Sequence, residues 1–205
     1  MTCRVLIPIK TLSQCKTRLA GALGDARRRA LVEVMLRNVT DAARAARNVD
    51  GVMLIGPDEF GLGLPALPDP GAGLNAALRA GAAAQPAEAS RLIILAGDLP
   101  FVAQAEIEGL AGLAPDMAAI APDRAGAGTN ALSLPLPAAA GFAFQFGEGS
   151  FAAHCKEIAR LGLGLEIVRA HGLALDVDEP ADLDAVSALI TARETNQDNP
   201  RSVSL

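Results

Sequence analysis

Arg91-Leu-Ile-Ile-Leu-Ala-Gly-Asp-Leu-Pro100 is the stretch that decides the fold class of this chain. After Arg91 it is an uncharged run of β-formers, which predicts a strand buried on both faces, as in a parallel sheet. The run stops at Gly97 and is followed at once by a carboxylate, Asp98. In open α/β sheets, ligands bind at the carboxyl ends of the strands, where this aspartate is expected. A second acidic strand end, Asp176-Val-Asp178, lies far along the chain. Extended backbone puts both of its carboxylates on one side and turns Leu175 and Val177 the other way. Three carboxylates at one sheet edge make a hard oxygen site suited to magnesium and a phosphate-bearing substrate. Taken singly, each aspartate also fits a helix start: Asp98 ahead of the segment after Pro100, the later pair ahead of Pro180.

Working outward, Arg4–Lys10 reads as a first strand opening into a basic loop that runs to Arg18. A helix is predicted from Asp25 to about Arg47, with Leu31, Val34, Met35, Val39 and Ala42 on its buried face. Val52–Ile55 is a second strand, and Gly73-Leu-Asn75 leads into an Ala-rich helix ending near Ala84. Beyond the central strand come an amphipathic segment over 104–113 and strands over Met117–Ala121 and Ala131–Leu134. Pro135 and Pro137 then break the pattern. Ser150 reads as the N-cap of a helix ending near Leu161. Leu165–Val168 and Leu173–Asp176 are the last expected strands, and Pro180 opens a final helix. From Glu194 onward the chain is polar and aperiodic, so residues 194–205 are expected to form a disordered tail. Strand–helix alternation without a repeat predicts one α/β domain over residues 1–193, with a mainly parallel sheet.

Bulk properties narrow the function. Half of the 205 residues are hydrophobic, yet the aromatics are six Phe with no Trp or Tyr, so the core is aliphatic. Few stacking side chains and a net charge of -5 argue against a nucleic-acid partner. Cys3, Cys15 and Cys155 form no C-x-x-C pair, which suggests neither a zinc site nor a disulfide framework and fits a reducing cytoplasm. No apolar stretch approaches a membrane span, and strand-like sequence begins at once, so a soluble cytoplasmic protein is expected.

Three further segments carry chemistry. Lys10, Lys16 and Arg18 cluster just after the first strand, where a point charge and a bidentate fork are able to hold a triphosphate. Neither G-x-x-x-x-G-K-[ST] nor G-x-G-x-x-G is present, so this is no P-loop and no dinucleotide fingerprint. The loops Gly126-Ala-Gly-Thr-Asn130 and Phe146-Gly-Glu-Gly-Ser-Phe151 offer backbone N–H groups, the second beside a helix N-terminus that favours an anion. Glu148 is an awkward neighbour for such an anion. His154 and His171 read as packing or surface histidines rather than bases. No G-x-S-x-G occurs, which leaves serine hydrolysis without support.

In their order along the chain, Ile-Pro-Ile-Lys10, Lys16-Thr-Arg-Leu19, Gly73-Leu-Asn75, Gly97-Asp-Leu-Pro100, Pro122-Asp-Arg124, Gly128-Thr-Asn-Ala-Leu132, Phe146-Gly-Glu-Gly-Ser150 and Asp176-Val-Asp178 resemble the 2-phospho-L-lactate guanylyltransferase family. The resemblance spans roughly residues 4–190. It implies a single-domain nucleotidyltransferase fold of the glycosyltransferase-A-like type, a three-layer sandwich. It also implies transfer of GMP from GTP to 2-phospholactate, phosphoenolpyruvate or 3-phosphoglycerate in coenzyme F-420 biosynthesis. By position it makes Asp98, Asp176 and Asp178 magnesium ligands, and Thr129, Gly147 and Ser150 acceptor-binding residues. Pro8, Lys10, Lys16, Arg18, Gly73, Leu74 and Asn75 would meet the nucleotide, with Lys16, Arg18 and Asp98 serving catalysis. Two positions depart from the family pattern: Glu148 stands where proline is frequent, and Glu179 where threonine is common. Oligomeric state stays open, a homodimer included. The rival readings are a molybdopterin or sugar-phosphate nucleotidyltransferase, a nucleotide-sugar glycosyltransferase, and a non-catalytic GTP-binding regulator.

Overall fold

Strand β4 (Arg91–Leu95) is buried at all five residues and sits in the middle of a seven-stranded sheet. The computed structural model of the protein describes residues 2–9, 11, 15–68, 71–178, 180–184 and 186. Around β4 lie β1 (Cys3–Pro8), β2 (Val49–Ile55), β3 (Ala66–Leu67), β5 (Met117–Pro122), β6 (Thr129–Pro135) and β7 (Gly164–Ile167), in the order β3-β2-β1-β4-β6-β5-β7. Side chains alternate across the sheet, as the pleat requires. Val5, Ile7, Ile93 and Leu95 join one core, with Leu31, Met35 and Leu36 of α1 (Asp25–Ala45) and Ile107 of α3 (Gln104–Ala111). Leu6, Leu92 and Ile94 join the other, with Leu78 of α2 (Leu74–Ala83) and Ile158 of α5 (Ser150–Arg160). The result is a three-layer α/β sandwich with a mostly parallel sheet.

Strand β6 departs from the rest. It runs antiparallel to both β4 and β5, although all seven of its residues are buried. An apolar run therefore reported burial on two faces, not strand direction. Other expectations also need correction. The buried stripe of α1 is Leu31, Val32, Met35, Leu36, Val39 and Ala43, while Val34 and Ala42 flank it, as this 21-residue helix packs against both β2 and α3. Instead of breaking the chain, Pro137 lies within one helical turn, α4 (Leu136–Ala139), where a missing N–H costs nothing. The segment expected as a last strand over Leu173–Asp176 is a turn of helix, α6 (His171–Ala174), followed by unpaired extended chain. Ser150 is the first helical residue of α5 rather than its cap. The cap is Gly149, whose left-handed φ of 70° suits a residue without a Cβ. A 3₁₀ turn over Pro180–Asp182 begins where the final helix was expected, and residues 194–205 lie outside the described ones.

The chain moves from β1 outward to β2 and β3, then crosses to β4 on the other side of β1. Where the order reverses, the loops after β1 and β4 part and leave a crevice at the strands' carboxyl ends. Gly56 closes β2 beside it with φ 116°, and a Cβ there would overlap the carbonyl oxygen of Ile9. Gly56→Ala is expected to cost the fold at least about 2 kcal/mol, read as a lower urea midpoint at unchanged slope.

Candidate functional site

At that crevice lies a cavity of about 910 Å³, large enough for a nucleotide beside a small second ligand. Its walls include Pro8, Lys16, Arg18, Asp98, Thr129, Ser150, Asp176 and Asp178, so residues distant in sequence meet at one place. Each arrives on the end of an element. Asp98 follows β4, and Leu99 behind it is fully buried. The amide of Asn38 on α1 donates to the carbonyl of Pro100 at 3.0 Å and anchors the same loop. Asp176 and Asp178 flank Val177, which is fully buried, so the alternation expected of extended chain survives without a pairing strand. Asp178 is held further by its own N–H, which donates to Asp182 at 3.1 Å. The other oxygen of Asp182, a buried carboxylate, accepts from Arg124 at 2.7 Å.

Lys16 is the electrostatic centre. Its backbone is left-handed, φ 51°, an uncommon conformation for a side chain with a Cβ. It caps a 3₁₀ turn over Thr17–Leu19 that is pinned by the buried Leu19. Its ammonium donates to Asp98 and, at 2.7 Å, to Asp178. Burial works against this charge, but the two carboxylates outweigh it and hold the lysine above its ordinary pKa. Asp176 is shifted upward, first by burial and then by the nearby charge of Asp98. Negative charge is thus concentrated here, and two of the carboxylates turn oxygens toward a single cation position. Among the described residues no three His, Cys, Asp or Glu side chains are grouped closely enough to hold a metal on their own. The ammonium of Lys16 stands where Asp98 and Asp178 converge.

The opposite wall is made of donors. Asp123 accepts from the N–H groups of Ala127 and Gly128, both at 2.9 Å, and folds the glycine loop that delivers Thr129 to the cavity. Thr129 Oγ1 lies 3.0 Å from Nδ1 of His154. The loop from Phe142 to Gly149 has no regular structure, yet side chains hold its backbone at three points. Ala143 N–H donates to Glu157, Gln145 N–H donates to Nε2 of His154, and Phe146 N–H donates to Oδ1 of Asn75. Gly147 (φ 130°) and Gly149 then turn the chain into α5, where Ser150 is buried at the cavity wall.

The other site residues expected from sequence fall as follows. Gly73 and Leu74 line the cavity. Asn75 directs both ends of its amide to Phe146, accepting from the N–H and donating to the carbonyl at 3.1 Å, so it braces the loop. Arg18 is exposed at the cavity's edge. Lys10 lies outside the described residues, as does Glu179. Glu148 lines the cavity from an exposed position. Three residues escaped the sequence reading: His154 as partner of Thr129, Glu157 as a loop clamp, and Asn130, whose amide donates to the Leu173 carbonyl at 3.0 Å just ahead of the acidic segment. Only the amphipathic placement of His154 and Glu157 on one helix hinted at them.

No helix among the described residues is long and apolar enough to cross a membrane. The family model described as "Guanylyl transferase CofC like" matches residues 3–198. A phosphoenolpyruvate guanylyltransferase of Sphaerobacter thermophilus is 42% identical over 195 residues, covering 91% of this chain and 93% of that protein. A 3-phospho-D-glycerate guanylyltransferase of Phenylobacterium zucineum is 35% identical over 82% of this chain and 81% of its own length. A 2-phospho-L-lactate guanylyltransferase of Methanothermobacter thermautotrophicus is 33% identical, covering 89% of this chain and 82% of that one. Among solved structures, a putative nucleotide-diphospho-sugar transferase from Desulfovibrio desulfuricans superposes with a TM-score of 0.70 at 15% identity, over 94% of this chain and 98% of that one. That likeness concerns the fold.

Proposed function

The chain belongs to the CofC-like guanylyl transferase family, and from that premise we propose that it moves GMP from GTP onto a small phosphorylated three-carbon acid, with magnesium, in coenzyme F-420 biosynthesis. The observation that carries this reading is one cavity with two unlike walls. One is acidic, with Asp98 and Asp178 converging on a cation position; the other is made of glycine-loop donors and a helix N-terminus.

An oxygen of the acceptor's phosphate attacks the α-phosphorus of GTP and forms a new phosphoanhydride bond. The bond from the α-phosphorus to the bridging oxygen breaks, and pyrophosphate leaves with the electron pair. The nucleophile is already an anion, so no proton has to move. What the protein supplies is alignment and charge neutralisation. Lys16 and Arg18, on the loop after β1, face the triphosphate, while Gly73 and Leu74 meet the nucleoside. Thr129, Gly147 and Ser150 receive the acceptor. Asp98, Asp176 and Asp178 are hard oxygen donors of the kind magnesium takes, and they would hold it once the ammonium of Lys16, which sits between Asp98 and Asp178 in this structure, turns to the triphosphate. Bound there, magnesium would neutralise the two anions as they approach.

Incubating the protein with GTP and magnesium, and with each of phosphoenolpyruvate, 2-phospholactate and 3-phosphoglycerate in turn, tests the reading. Pyrophosphate is expected with at least one acid and GTP, and not with CTP. Silence with all three acids would sink it.

A further inference from the structure

His154 lies within α5, is fully buried, and makes two hydrogen bonds of unequal kind. Its Nε2 lies 3.0 Å from the backbone nitrogen of Gln145. A peptide N–H only donates, so Nε2 must be the acceptor and carries no proton. The rings of Phe142 and Phe146 pack against the imidazole, with centroids 5.7 and 4.7 Å away, and exclude the water a cation needs. The ring is therefore neutral, with its one proton on Nδ1. That N–H points at Thr129 Oγ1, 3.0 Å away, which makes the hydroxyl an acceptor on this side. Thr129 Oγ1 has no other partner among the described residues, so its own proton is left to be given away.

We infer that His154 is a positioning residue, locked by the Gln145 peptide into its Nδ1–H form so that Thr129 serves as a hydrogen-bond donor to an anionic oxygen of the acceptor acid. Thr129 lines the same cavity wall as Gly147, Gly149 and Ser150. The N–H groups of Gly147, Glu148 and Gly149 have no protein acceptor among the described residues, and they join the positive end of α5. The hydroxyl of a threonine is ordinarily ambivalent, donating or accepting as the ligand asks. Here the histidine takes one lone pair and leaves the proton uncommitted, so Thr129 always has a donor to offer a phosphate or carboxylate oxygen. This inference rests on the guanylyl-transfer reading for the identity of the ligand, though not for the tautomer.

The tautomer is read directly on the wild-type protein by long-range nitrogen-15 correlation of the imidazole at neutral pH. The expected pattern is a pyrrole-like Nδ1 and a pyridine-like Nε2. A proton on Nε2, or on both nitrogens, would overturn the inference. In steady-state kinetics His154→Leu is expected to raise the acceptor's KM at least about tenfold, with the KM for GTP moving less than about twofold. His154→Asn, which retains an N–H near the position of Nδ1, should recover most of the loss, and it also guards against a leucine variant that does not fold. In a Thr129→Val background His154→Leu should cost nothing more. Equal changes in both KM values, or additive losses in the double variant, would mean that His154 merely packs. Wild-type protein that releases no pyrophosphate with any acid would defeat the guanylyl-transfer reading, while the tautomer measurement would still decide the role of His154.

Discussion

Asp98→Asn is expected to lower turnover about a thousandfold while the protein folds as before. The two effects separate because of where the side chain sits. It is about a third exposed, on a loop whose backbone is anchored by the buried Leu99 and by Asn38. The amide of asparagine has nearly the same shape and still offers Lys16 an acceptor oxygen. Lys16 is buried but keeps the carboxylate of Asp178, and Asp176 is relieved of a neighbouring like charge, so the melting temperature should fall by only a few degrees. Catalysis meets a different scale. Two unit charges about 4 Å apart interact by about 4 kcal/mol at the effective dielectric of a partly buried site. Deleting one charge from a cation-binding position adds a term of that order to the barrier, which is about a thousandfold loss in rate. Pyrophosphate release under saturating GTP and magnesium, beside thermal unfolding of the same preparation, makes the comparison. An asparagine variant within tenfold of wild type would rule out Asp98 as part of the metal or charge machinery.

The sequence carried the position of that site well, and for a physical reason. A doubly covered strand is an unbroken apolar run, and β4 announced itself; the loop after it had to emerge at the sheet edge, with Asp98 on it. The same logic brought Lys16 to that edge after β1, whereas Asp178 arrives there on unpaired chain and not on the strand expected, and nothing in the spacing foretold that the ammonium bridges the two carboxylates. The mainly parallel sheet expected is the one found, but side-chain pattern reports burial and not the sense of the ladder, so nothing in Ala131–Leu134 marked β6 as the antiparallel member. A short apolar segment does not separate strand from helix by periodicity, and His171–Ala174 coiled where extended chain was expected. Ser150 lost the cap to Gly149 because the loop had to enter α5 through a left-handed turn. His154 was hardest to read. Its partners lie on β6 and in an irregular loop, and only the register of α5 against the sheet brings Nδ1 to Thr129.

That burial has a second consequence, which acid should expose. The pKa of His154 is pushed down to about 4, mainly by removal from water, with the charge of Glu157 opposing in part. In the unfolded chain the same imidazole titrates near its ordinary value of about 6.5. Between those two values the unfolded state binds a proton that the folded state refuses, so stability falls as pH falls through this window. A gap of two to three pH units corresponds to roughly 3 kcal/mol, a large share of a typical domain's stability. Above the unfolded value the contribution is fully present, and below the folded value it is gone. Glu157 acts in the same direction but lower. Arg160 and the Ala143 N–H hold its carboxylate down to about 2, so its share is lost only as acid carries the protein below the ordinary glutamate range. Urea unfolding between about pH 7 and 4 separates the two groups. Circular dichroism is the suitable probe, because the chain has neither Trp nor Tyr to fluoresce. His154→Asn cannot titrate, so its stability should decline more gently, and the gap to wild type should shift by roughly 3 kcal/mol across the window. A constant gap would show that folding does not lower the pKa of His154. The Nδ1–H form that directs Thr129 toward the acceptor would then be lost to protonation within this window instead of being protected by burial.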